Sequence, residues 1–174
     1  MLGHQMHIPF RKEGSTVKIT IPSNVEDTDV TVVAIRLAEE LSLEKTPTTA
    51  ITYAALQDTS LKTQYAVEAI TQSISEGNNP FDKSNLSSDG LNYSLTDSNL
   101  TRWVTKHAEA LYKTTKGMPK GHFIGSSALS ADKQTLYLFV KGIPTGPIAI
   151  KGLRNIITTC ANSRRRHNVR TGNI

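Results

Sequence analysis

The groups in this chain that could carry chemistry are few and scattered. His4 and His7 form an HxxH pair. On a strand, positions three apart point to opposite faces, so the two rings would not converge on a metal ion. The carboxylates Asp27, Asp29, Glu39, Glu40, Asp82, Asp89, Asp97 and Asp132 lie mostly in loops and turns, where turn formation and helix capping are their ordinary roles. His107 sits beside an apolar helical stripe and reads as a packed or surface residue. Cys160 is the single cysteine, so it makes no internal disulfide, and on an apolar strand it is a small buried hydrophobe. There is no Gly-rich phosphate loop, no CxxC and no Ser-centred elbow. Asn85-Leu-Ser, Asn92-Tyr-Ser and Asn99-Leu-Thr are glycosylation sequons, in a stretch so rich in Asn and Ser that three arise close to chance. Catalytic, cofactor-binding and metal-ligating residues are therefore all assigned as none, and no cofactor is expected.

The net charge of +5 comes from one place. Arg164, Arg165, Arg166 and Arg170 lie beside His167 at the C-terminal end, and without them the chain is close to neutral. A basic tail of this kind attracts phosphates, but its ordinary state is a solvated end, and the balance argues against a nucleic-acid partner. No apolar run is long enough to span a bilayer and no signal-peptide pattern opens the chain, so no membrane partner is expected. The compartment stays open.

The elements that would position any site are mostly strands. Leu136, Leu138 and Val140 alternate with Tyr137 and Phe139, which predicts a half-buried strand. Gly142-Ile-Pro-Thr-Gly-Pro147 then predicts a turn, giving a hairpin or part of a meander with Ile148 and Ile150, followed by a further strand at Ile156-Ile157. Thr16 to Ile21 alternates after a Gly14-Ser15 turn, and Val30 to Leu37 is rich in β-branched residues. Met6 to Phe10 is a weaker strand with an edge-like Pro9, and His122 to Leu129 is another. Residues 44–59 read as a linker and 78–98 as a long loop.

Two helices interrupt this pattern. Leu61, Tyr65, Ala69, Ile70 and Ile74 recur at helical spacing up to Gly77, a suitable C′ residue. Leu100, Trp103, Val104, Ala108, Leu111 and Tyr112 form one stripe of a helix predicted over 99–116 and closed by Gly117. Trp103 on that stripe reads as a core anchor in preference to a sugar-stacking platform.

Trp103-Val-Thr-Lys-His-Ala-Glu-Ala-Leu-Tyr112, Ser130-Ala-Asp-Lys-Gln-Thr-Leu-Tyr-Leu-Phe-Val140 and Lys151-Gly-Leu-Arg-Asn155 together resemble α-L-fucosidases of glycoside hydrolase family 29. The resemblance is to the helix that ends the catalytic (β/α) barrel and to the strands that open the C-terminal β-sandwich. Residues 14–22 and 27–35 resemble the last strands of that same sandwich, yet here they precede the helix. The matches cover roughly 1–43 and 97–160. This order fits a piece spanning two tandem sandwiches, a circular permutation, or a damaged reading frame. Residues 161–174 do not continue the family's next strand.

The resemblance implies a non-catalytic β-sandwich fragment of an α-L-fucosidase-like glycosidase, partnered by a catalytic barrel absent from this chain and possibly by carbohydrate. The family's nucleophile and acid/base carboxylates belong to that barrel, and no residue here matches them. A second reading is a free-standing carbohydrate-binding or interaction module using Trp103, Tyr137 or Phe139. The expected fold is mainly β (α+β): an antiparallel sandwich built from the N- and C-terminal strands, with two helices inserted between them. Its expected parts are 1–43 strands, 44–98 linker, helix and loop, 99–160 helix plus strands, and 161–174 basic tail. One shared core is expected on burial grounds, because neither strand set alone hides its apolar face.

Overall fold

The structure, a computed structural model, describes residues 7–25, 30–43, 62–81 and 98–162. Its strands are β1 (Phe10–Glu13), β2 (Thr16–Ile19), β3 (Val30–Leu37), β4 (Thr114–Lys116), β5 (Ser126–Ser130), β6 (Thr135–Lys141), β7 (Ile148–Ile150) and β8 (Ile157–Asn162). They form two antiparallel sheets, a small one in the order β1-β2-β7 and a large one in the order β4-β5-β6-β3-β8. Helices α1 (Lys62–Glu76), α2 (Ser98–Lys106) and α3 (Ala108–Leu111) complete the described residues, with a 3-10 turn at Ser23–Val25.

The period-two pattern explains why the large sheet has a core on each face. Val33, Ile35, Leu37, Leu136, Leu138 and Val140 point to the small sheet and pack with Val17, Ile19, Ile150 and Cys160. The alternate residues Val32, Ala34, Tyr137 and Phe139 point the other way, onto Val67, Ile70 and Ile74 of α1 and Leu100, Trp103 and Leu111 of α2 and α3. The fold is thus a mainly β antiparallel sandwich made from N- and C-terminal strands, its large sheet backed by helices. At about 25 cal/mol per Å² of apolar surface, leaving either face in water would be prohibitive.

Several expectations are corrected here. β6 is buried on both faces, not one. It does not form a hairpin with β7: Gly142 to Pro147 carries the chain from the large sheet to the small one, where β7 pairs with β2. The weak strand at Met6 to Phe10 is reduced to a bridge, His7 opposite Ala161, and the edge strand starts at Phe10. The strand expected from His122 begins at Ser126. Lys151 to Asn155 is not a strand, and β8 runs beyond Cys160 to Asn162. Residues 163–174, the linker at 44–59 and most of the 78–98 loop lie outside the described residues.

The largest correction concerns the helix expected over 99–116. It breaks at His107, whose φ of −109° and ψ of 18° leave the helical region, and α3 lasts only to Leu111. The apolar stripe slips with the break, so Ala110 is buried and Tyr112 is 47% exposed. Thr114 to Lys116, expected as helix, is edge strand β4. Gly117 does not close a helix. A Cβ there would stand 1.9 Å from the Ser127 carbonyl oxygen, so glycine allows the close approach to β5. At α1 the expected C′ glycine is present: Gly77 has φ 91°, and the Asn78 and Gly77 amides donate to Ser73 and Ile74 carbonyls, a Schellman end.

Candidate functional site

Trp103, Glu109 and Tyr137 lie at the seam between helix and sheet. Trp103 is held on the outer face of β3, where its indole N–H donates to the Val30 carbonyl at 3.2 Å. His107 is buried and tilted against it, with ring centroids 5.2 Å apart. Two residues after His107, Glu109 accepts a hydrogen bond at 3.1 Å from the hydroxyl of Tyr137 on β6. Burial, reinforced by the Glu109 charge, pushes the Tyr137 phenol well above its ordinary range, so it stays a neutral donor.

A second clasp lies at the opposite end of β3. Asn155 is buried, and its side-chain amide donates to the Glu40 carbonyl at 2.7 Å and the Glu39 carbonyl at 3.3 Å. Its oxygen accepts from the Ser42 amide at 2.6 Å. Lys12 reaches over from β1 to the Arg154 and Asn155 carbonyls at 3.1 and 2.9 Å. These bonds fasten the chain after β3 to the segment before β8. Leu153, fully buried beneath them, bonds the Ser15 carbonyl and bridges to Leu43.

Among the described residues, no three His, Cys, Asp or Glu side chains come together to hold a metal. His7 is exposed, and His4, Asp27, Asp29, Asp82, Asp89 and Asp97 lie outside the described residues. Asp132 shapes the β5–β6 turn, bonded by the Gln134 amide at 3.0 Å and by the Ser130 hydroxyl. His122 is buried, and because a carbonyl only accepts, its Nδ1 carries the proton it shares with the Lys151 oxygen at 2.8 Å. Burial pushes the Cys160 thiol up to about 12, consistent with a packing role.

The aromatics proposed as sugar platforms do not reach the surface. Trp103, Tyr137 and Phe139 are each at most 3% exposed. Among the described aromatics Tyr112 is the most exposed, and it stacks on Phe81 with centroids 4.8 Å apart and planes 24° apart. Sequence reasoning placed Tyr112 in the buried stripe and missed it. The signal that could have found it was His107, a poor helix former in the middle of the stripe. No family model, curated protein or solved structure matches the chain. No described helix is long and apolar enough to cross a membrane.

Proposed function

We propose that the chain is a non-catalytic β-sandwich piece of an α-L-fucosidase-like glycosidase, supporting a catalytic (β/α) barrel that it does not itself contain. One observation carries this reading. The residues that resemble the family, Trp103, Glu109, Tyr137, Leu153 and Asn155, are those that fasten the helix and the loops to the sandwich. A helix that ends a barrel and stays latched to the next domain needs these contacts. The strands resembling the two ends of the family sandwich also share one core, which supports a permuted order over two tandem pieces. A resemblance assembled from unrelated fragments would not predict either feature.

Two measurements test it. The purified chain should not hydrolyse an aryl α-L-fucoside, since no residue in its sequence matches the family's nucleophile or acid/base carboxylate. It should also associate with a separately produced α-L-fucosidase barrel and raise the barrel's melting temperature. Turnover that is abolished by changing one of this chain's own Asp or Glu residues would overturn the reading, and so would failure to associate. The carbohydrate-module reading no longer has Trp103, Tyr137 or Phe139 to rest on, and only the Tyr112–Phe81 stack favours it.

A further inference from the structure

The two ends of the described fold lie side by side. His7, where it begins, stands antiparallel opposite Ala161, one residue before it ends at Asn162. Next to that bridge the Ile8 amide donates to the Cys160 carbonyl at 2.8 Å. Ile8 and Cys160 are fully buried in the core between the sheets, so the contact belongs to the interior. One arm leaves where the other enters, which is the geometry of a β-hairpin opened at its turn.

Elsewhere the chain tolerates opening very unequally. Between β7 and β8 the Leu153 amide donates to the Ser15 carbonyl and the Arg154 amide to the Ser42 carbonyl, while Asn155 clasps Glu39, Glu40 and Ser42. Cutting there would free a segment on which three others depend. Residues 82–97 are different, because the described strand pairings and both cores are made by residues outside them. A chain closed at its ends and opened there would run α2, α3, β4 to β8, then β1 to β3 and α1. That order puts the segments resembling the barrel-end helix and the opening strands first, and those resembling the last strands after them.

We propose that this chain is one opening of a closed circular order, and that the catalytic barrel joins it at the leading end of α2 and not at either chain terminus. The closed order stands on the end pairing; the attachment rests on the barrel-supporting reading above. Both described ends are committed to one strand pair within the sandwich. At the leading end of α2, Asn99 is exposed, and so are Thr101, Arg102 and Thr105, while Leu100, Trp103 and Val104 hold the helix to the sheet. A helix anchored on one side and open at its start takes a preceding domain without giving up a sandwich contact.

Three experiments on the full chain test this. His7→Cys with Ala161→Cys, in a Cys160→Ala background, should form a disulfide in air while the fold is kept, because opposed residues of an antiparallel pair have Cα atoms about 4.5–5.5 Å apart. A folded variant that stays reduced would overturn the closed order. A permutant with Ile174 bonded to Met1 and opened between Asp89 and Gly90 should keep its urea midpoint within about 1 M of the parent. The connection made, residues 163–174 with 1–6, is about as long as the one opened, so the loop entropies nearly cancel. The same closure opened between Gly152 and Leu153 should not fold. Failure of the first permutant to fold, or equal stability of the two, would overturn the closed order. An α-L-fucosidase barrel fused ahead of the first permutant should melt at least about 4 °C higher than the same barrel fused ahead of Met1. Equal melting would overturn the attachment point. No rise over the free barrel in either fusion would overturn the barrel-supporting reading and the attachment with it, whereas the disulfide and the permutants judge the closed order by themselves.

Discussion

Gly117 shows how much can rest on one missing methyl group. Its amide donates to the Ser75 carbonyl, and the next amide, of Met118, donates to the Ser127 hydroxyl at 2.9 Å. Gly117→Ala should cost about 3 kcal/mol or more in urea unfolding, because the added carbon meets backbone and not a movable side chain. Cys160 gives a second residue-scale test. With its thiol pushed up by burial, it should react with a thiol reagent at pH 8 only as fast as the protein unfolds, whereas the urea-unfolded chain should react at once. Asp132 gives a third. The Ser130 hydroxyl and the Gln134 amide hold its carboxyl below the ordinary value. A depressed folded pKa contributes stability above the unfolded value, and that contribution disappears as pH falls through the folded one. Asp132→Asn should therefore lower stability at pH 7 slightly and flatten its decline below about pH 4. Of these three roles, only the Cys160 and Asp132 roles were legible in the sequence, from strand context and turn chemistry. Gly117 was misread as a helix stop because its neighbour in space, Ser127, belongs to another strand.

At the scale of elements, strands with strong alternation were legible and helix continuity was not. Val30 to Leu37 and Thr135 to Lys141 carry enough apolar residues on both faces to be strands in any context. The helix after Ser98 breaks at His107, and with the break Ala110 in place of Tyr112 joins Trp103 and Leu111 in the packed face. The Lys151 to Asn155 segment was read as a strand because nothing local shows that Asn155 is a clasp whose partners lie 113 to 116 residues away. Asn155→Ala should cost about 1–3 kcal/mol, since it empties a buried position and removes the bonds from the Ser42 amide and to the Glu39 and Glu40 carbonyls. Hydrogen exchange should show protection lost at Ser42 and Arg154 before β3 itself opens. Tyr137→Phe should cost only about 1 kcal/mol, because its partner Glu109 is exposed and can turn to water.

At the scale of the molecule, the shared core of the two strand sets was the most legible feature and the helical second core the least. Burial required that N-terminal and C-terminal strands meet, and Val17, Ile19, Val33, Ile35, Leu136, Leu138 and Ile150 do meet. The sequence could not say which sheet each strand joined, because the Gly142 to Pro147 turn is compatible with either a hairpin or a crossover. Val17→Asp places a charge where no water reaches and should cost more than about 4 kcal/mol. In one cooperative unit the amide protection of β3, β6 and β8 should collapse together with that of β2. Persistent protection in the large sheet would divide the sandwich into two independent units.

The central position of β3 also has a kinetic side. It pairs with β6 and β8 and with no earlier strand. During synthesis its eight residues, nearly all apolar, leave the ribosome with neither neighbour yet made. At translation speeds of about 5–20 residues per second, that strand waits on the order of ten seconds for β6 and longer for β8. A sticky, unpaired strand of this kind is what chaperones recognise and what stray strands join. Stalling translation between β3 and β6 should therefore raise chaperone occupancy of the nascent chain sharply, and release past β8 should clear it.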